Sequence, residues 1–129
     1  MKQFASKEEE KQYYEHEASE ADFLAWYQKQ ERPEYDKPSL TVDIVLMCYN
    51  KEEDQLKILL IQRKGHPYRN SWALPGGFVQ KNESTGESVL RETKEETGVV
   101  ISQENIEQLH TFSTPNRDPR GWAVTVSYL

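Results

Sequence analysis

Three carboxylates, Glu92, Glu95 and Glu96, crowd into about one turn of the run Arg91-Glu92-Thr93-Lys94-Glu95-Glu96. On a helix, at roughly 100° per residue, Glu95 falls about 60° behind Glu92 and Glu96 about 40° ahead of it, so all three share one face. Like charges at such spacings repel, at roughly a few tenths of a kcal/mol per pair, unless a positive charge lies between them. A hard divalent cation, which prefers oxygen ligands, answers that need. Glutamate runs are also ordinary solvated helix faces, and Lys7-Glu8-Glu9-Glu10 reads as one. The neighbours of the second run set it apart.

Ser84-x-x-Glu87 has the form of a capping box and predicts a helix starting near Ser84. Gly98 after Thr97 predicts its end. Within it Glu87, Arg91 and Glu95 are spaced i, i+4, i+8, so Arg91 can bridge two acids. Upstream, Leu74-Pro75-Gly76-Gly77 is a turn sequence whose glycines let backbone approach a ligand closely. A glycine turn followed by a short, capped, acidic helix makes sense as a metal cradle.

Gly77, Glu83, Arg91, Glu92, Glu95, Glu96, Gly98 and Val99 match the pattern Gly-x5-Glu-x7-Arg-Glu-U-x-Glu-Glu-x-Gly-U, where U is bulky and apolar. That pattern is the Nudix box, and the chain resembles the Nudix hydrolase superfamily. Thr93 departs from it, standing where Leu, Ile or Val is usual. Threonine is close to valine in volume and should pack, but its hydroxyl needs a partner if buried. Ser71-Trp72-Ala73-Leu74-Pro75-Gly76-Gly77-Phe78-Val79 resembles the lead-in to the box in the subgroup of ADP-ribose pyrophosphatases, whose relatives also carry a segment similar to Arg117-Asp118-Pro119-Arg120-Gly121-Trp122. Some relatives are transcriptional regulators of NAD metabolism with a C-terminal winged helix. The resemblance covers roughly residues 39–129.

It implies an α+β fold, a Nudix-type α/β/α sandwich with a mixed sheet. It implies hydrolysis of a nucleoside diphosphate linked to another moiety (a nucleotide sugar or dinucleotide), water attacking phosphorus, with ADP-ribose giving AMP and ribose 5-phosphate. On that resemblance Glu92 and Glu96 are the principal ligands for Mg²⁺ or Mn²⁺, with Glu95 a ligand or base. The Gly76 carbonyl completes the cradle, Arg91 orients the acids and Glu83 contributes secondarily. The metal neutralises the diphosphate, activates water and aligns the attack. Regulators frequently lose acids of the box, whereas all three are present here, which favours an enzyme over an ADP-ribose-sensing domain. A domain that keeps the box only by descent, for a structural or partner-binding role, is the third reading.

Two domains are expected: a helical extension over residues 1–38 and the Nudix domain over 39–129. Tyr14, Ala18, Ala21 and Leu24 or Ala25 follow helical spacing and predict one amphipathic helix over about residues 6–30. Phe23, Trp26 and Tyr27 make it too apolar for a loose tail, and a homodimer contact is the favoured use of that face. Residues 41–49 and 56–63 read as a strand hairpin. Cys48, the only cysteine, is expected to be buried and inert. Arg63, Lys64 and Arg69 flank the glycine turn, as phosphate contacts or as a solvated loop, and His66 reads as structural. Arg117 and Arg120 lie in a loop that resemblance puts near substrate or a dimer partner and that sequence alone leaves as an exposed turn. Residues 101 and 106–112, then 122–129, read as strands.

The formal charge of −6 argues against a general nucleic-acid surface in this segment. An acidic protein handling a polyanion needs a metal to reverse the local field. No apolar run approaches the ~20 residues of a membrane span, the N-terminus has no secretory pattern, and a lone cysteine suits a reducing cytoplasm. The terminal strand ends at Leu129 without a turn or cap, so the chain is expected to be cut short, with further strands, a helix and a catalytic glutamate of the relatives lying beyond it.

Overall fold

Val42 and Ile44 project to one side of strand β1 (Ser39–Ile44) and are buried, while Thr41 and Asp43 project to the other, the period of two that a strand imposes. A computed structural model shows this strand in place and describes residues 2–129. The remaining elements are α1 (Lys7–His16), α2 (Glu20–Lys29), β2 (Met47–Asn50), β3 (Gln55–Ile58), β4 (Ile61–Gln62), β5 (Trp72–Ala73), β6 (Gly76–Phe78), α3 (Thr85–Thr97), a 3₁₀ turn (Gln103–Asn105), β7 (Gln108–Phe112) and β8 (Ala123–Tyr128). The chain divides into two units, one ending at Asp36 and one spanning Lys37–Leu129.

In the second unit, four strands form a mixed sheet in the order β6-β1-β8-β7. β1 and β8 run parallel, from Ser39 opposite Ala123 to Ile44 opposite Tyr128. β6 is antiparallel to β1, and β7 antiparallel to β8 with an irregularity between Gln108 and His110. Two short ribbons, β2-β3 and β4-β5, stand beside it. A parallel pair needs a long crossover, and everything that carries the box lies in that crossover. The α+β class and the mixed sheet are as read.

Helix α3 packs its apolar stripe on one sheet face. Val42, Ile44, Val126, Tyr128 and Val89 form the buried cluster, with Leu46, Val79, Leu90, Ile101 and Ile106 against it. Tyr128 ties its hydroxyl to Thr85 Oγ1 at 2.6 Å. The other face of the central strands is polar: Thr41 meets Thr125 at 2.6 Å, and the Ser127 hydroxyl donates to Asp43. Ser84 and Glu87 form the reciprocal capping box, and Gly98 closes the helix with φ 77°, a left-handed conformation that costs glycine least. Thr93 is buried and donates to the Val89 carbonyl at 2.6 Å, so the departure from the box leaves no orphaned hydroxyl.

Several boundaries differ from the sequence reading. The single N-terminal helix is two, broken where Ser19 caps α2 by accepting from the Asp22 amide at 3.2 Å. The aromatic residues of this unit largely pack on one another: Tyr14 stacks on Trp26 with centroids 4.9 Å apart, and Trp26 Nε1 donates to Glu10 at 3.0 Å. The expected strand over 41–49 is interrupted at Val45 and Leu46: Val45 N–H makes the last rung of the β1-β8 ladder, to the Tyr128 carbonyl, and from Met47 the chain pairs with β3 instead. Cys48 therefore lies in the β2-β3 ribbon and is exposed, not buried. The strand over 56–63 likewise splits into β3 and β4. No helix among the described residues is long and apolar enough to cross a membrane.

Candidate active site

Arg91 is the hub of the acidic face. Its Nε and Nη2 donate to the two oxygens of Glu83 at 2.8 and 3.0 Å, Nη1 to Glu92 at 2.8 Å and Glu95 at 3.2 Å, and Nη2 also to the Phe78 carbonyl at 3.1 Å. Glu87, expected as a partner, is instead held by its cap. The main partner is Glu83, which precedes the helix and so shares no helical spacing with Arg91. Its two oxygens are both engaged, and Oε1 also accepts from the Gln80 amide at 3.1 Å. A planar guanidinium with five donors suits this many-sided anchoring better than lysine would.

Gly76 and Gly77, expected in a turn, instead open strand β6 opposite Asp43 and Val42, and this strand meets the helix at two points. Glu92 closes on Gly77, where an added Cβ would lie 2.6 Å from its carboxyl carbon. Glu96 accepts from the Gly76 amide at 3.2 Å. This N–H ties β6 directly to the acidic helix. Arg63 donates its Nε to the Pro67 carbonyl at 2.7 Å and is close enough for its charge to act on Glu96. Arg69 is exposed in its loop. Arg117 Nη1 reaches the Ala123 carbonyl at 3.3 Å, and Arg120 pairs with Asp118 at 2.9 Å, so neither contacts the three acids. The Phe78 carbonyl, which fixes Arg91, is a contact that spacing does not reveal.

The electrostatics separate anchor from site. Arg91, followed by the Ser88 hydroxyl, holds the Glu83 carboxyl down at about 2 against an ordinary 4.5. Glu96 goes the other way: partial burial raises its pKa most, the Gly76 amide opposes that, and the charges of Glu92 and Glu95 raise it further. Among the described residues, no three acidic, histidine or cysteine side chains stand converged as a coordination shell, and Glu92 and Glu95 are paired with Arg91. The donor chemistry nevertheless fits a hard cation: Glu92 and Glu96 lie against β6, where Gly77 leaves no room for a side chain, with Glu95 on the same helix, able to share the shell with water and phosphate.

The Glu83–Arg91 pair yields a titration result. A folded-state pKa below the unfolded value means the pair stabilises fully above about 4.5 and loses that contribution as pH falls toward about 2. Carboxyl-carbon NMR should place the Glu83 midpoint near 2, and Arg91→Met should return it to the ordinary range. A midpoint near 4.5 in the unmutated protein would mean the pair does not form.

Residues 37–129 match the NUDIX domain family. The chain belongs to the Nudix family. This Nudix chain is similar to the ADPR responsive transcriptional repressor NtrR of Acinetobacter baylyi, 42% identical over 113 residues that cover 86% of the chain and 42% of the repressor. It is 41% identical over 95 residues to the ADP-ribose pyrophosphatase of Methanocaldococcus jannaschii, covering 74% of the chain and 52% of that enzyme. Among solved structures, a MutT/nudix family protein from Enterococcus faecalis is 81% identical with a TM-score of 0.96, across 98% of this chain and 49% of that one. The Nudix chain spans about half the length of the curated relatives it matches.

Proposed function

We propose that the Lys37–Leu129 unit serves a metal-dependent pyrophosphohydrolase that cleaves ADP-ribose to AMP and ribose 5-phosphate. One observation carries this reading: Glu92 and Glu96 close on Gly77 and Gly76 of β6, while Arg91, anchored by Glu83, also holds Glu92 and Glu95. In it, Glu92 and Glu96, assisted by Glu95, hold Mg²⁺ or Mn²⁺, which supplies charge neutralisation of the diphosphate and an activated water. Arg91 fixes the positions of Glu92 and Glu95 through one Nη1. Attack forms a bond between the water oxygen and phosphorus, breaks the bridging P–O bond and leaves a proton for a carboxylate, with Glu95 or Glu96 its acceptor.

The second reading is an ADP-ribose-sensing domain of a transcriptional regulator. The similarity to the Acinetobacter repressor supports it, because those 113 residues exceed the Nudix unit and reach into the helical one. The intact acidic set supports the enzyme. The two separate in one assay of this chain, and of longer proteins containing it, on a panel of nucleoside diphosphate derivatives with Mg²⁺ or Mn²⁺. Divalent-dependent release of AMP from ADP-ribose is the expected outcome. Tight ADP-ribose binding without turnover would transfer the assignment to the sensor, and neither binding nor turnover would sink both.

In the same reading the protein is a cytoplasmic homodimer. The β2-β3 ribbon supports the dimer, since Tyr49, Leu56 and Ile58 are all more than half exposed, and apolar surface of that kind is what association removes from water. Light scattering should report twice the mass of one chain; the mass of a single chain rejects it.

A further inference from the structure

Strand β6 presents its two faces to different chemistry. Gly77 looks toward α3 and Glu92, so its neighbour Phe78, opposite Thr41 in the register, projects from the other face and is half exposed. The Arg120 guanidinium lies over the Phe78 ring, 5.4 Å from its centroid. Arg120 is not free to wander: Nε and Nη2 donate to the two oxygens of Asp118 at 3.1 and 2.9 Å, and its own amide donates to Asp118 Oδ1 at 2.9 Å. Trp122 stands beside them, half exposed, with its carbonyl accepting the Ser39 amide at 2.9 Å. Phe78, Arg120 and Trp122 together line a recess of ≈ 90 Å³ that shares Arg120 and Trp122 with an adjoining hollow of ≈ 490 Å³.

We infer that Phe78, Arg120 and Trp122 form a stacking slot for the nucleobase of the ligand whose diphosphate lies beside Gly76 and Gly77 of β6. This rests on the nucleotide reading above and deepens it by naming what selects the ligand. Two half-exposed aromatic rings and a guanidinium plane offer flat, polarisable surface, which a planar base covers and a bare phosphate or sugar does not. The adjoining hollow is of the size that small-molecule sites have. Asp118 already spends both oxygens on Arg120, so the slot is preformed and leaves no carboxylate to read the edge of the base. β6 is the edge strand of its sheet, so a ligand can pass round it from the acids to the slot. The two ends are one residue apart on the chain, Gly77 against Glu92 and Phe78 in the slot. Stacking of this kind separates nucleotides from other diphosphates and discriminates little among bases.

Calorimetry with ADP-ribose and with inorganic pyrophosphate, each with Mg²⁺, tests the slot on the unmutated chain and on Trp122→Ala and Trp122→Phe. Trp122→Ala should weaken ADP-ribose about tenfold or more, the loss expected for one base-stacking contact, and leave pyrophosphate unchanged. Trp122→Phe should restore most of the affinity while removing the part of the ligand-induced fluorescence quench that Trp122 contributes, a pattern that a structural role for Trp122 would not produce. If ADP-ribose binds the unmutated chain and Trp122→Ala equally, the slot is overturned and the nucleotide reading stands. If pyrophosphate binds but no nucleotide does, both fall and the acidic cradle alone survives.

Discussion

Glu96→Gln is expected to abolish divalent-dependent turnover of ADP-ribose, by roughly 10³-fold or more, while the fold stays intact. Glutamine keeps an oxygen that can accept from the Gly76 amide, so the contact between turn and helix survives. It removes one negative charge from a group already strained by partial burial and by Glu92 and Glu95, so thermal stability should be unchanged or slightly higher. What disappears is an anionic ligand at the point where the diphosphate charge must be neutralised, and each tenfold of rate corresponds to about 1.36 kcal/mol of barrier. Second-sphere losses at metal sites cost roughly 10–100-fold, and a direct ligand should cost more. Steady-state rates within about tenfold of the parent, at saturating Mg²⁺ and Mn²⁺, would remove Glu96 from the proposed chemistry.

Gly76→Ala and Gly77→Ala, one residue apart, should fail in different ways. A methyl group on Gly76 would run into the Val42 carbonyl oxygen and sit 2.8 Å from the Asp43 Cα, both backbone atoms of a central strand. Neither can swing aside, so β6 must separate from β1, at about 3 kcal/mol or more. For a unit of this size that lowers the melting temperature by roughly 10 °C or more. A methyl on Gly77 meets only the end of the Glu92 side chain, which can rotate away. Gly77→Ala should therefore melt close to the parent yet lose about 100-fold or more in activity, since the group displaced is a proposed direct ligand and second-sphere losses alone cost roughly 10–100-fold. Equal melting temperatures for the two variants in a thermal scan would contradict the packing described for Gly76.

The capped acidic helix was legible because its signals are local. Ser84, Glu87 and Gly98 each act within a few residues of themselves, and the face shared by Glu92, Glu95 and Glu96 follows from helix geometry alone. The break between α1 and α2 was also written locally, in Ser19 and Asp22, but the helical spacing of the apolar residues runs straight across it. Where tertiary contacts decide, the sequence is silent. Nothing near Val45 marks the end of β1; the strand ends where β8, more than eighty residues away, supplies its last rung at Tyr128. Arg91 shows the same limit: helical spacing points it at Glu87, whereas the loop before the helix delivers Glu83. Cys48 followed from β2 being read as part of a buried strand, so its exposure is the same miss seen from the side chain.

The parallel pairing of β1 with β8 has a temporal meaning during synthesis on the ribosome. The neighbour that β1 requires emerges some eighty residues later, and closing so large a loop is entropically costly and slow. Until Ala123–Tyr128 has emerged, Val42 and Ile44 face α3 without the sheet that holds them there, and β6, whose Gly77 meets Glu92, is paired with one otherwise unsupported strand. Cation affinity should thus arise as a late, all-or-none event in the growing polypeptide, and nascent chains halted before residue 123 should have none.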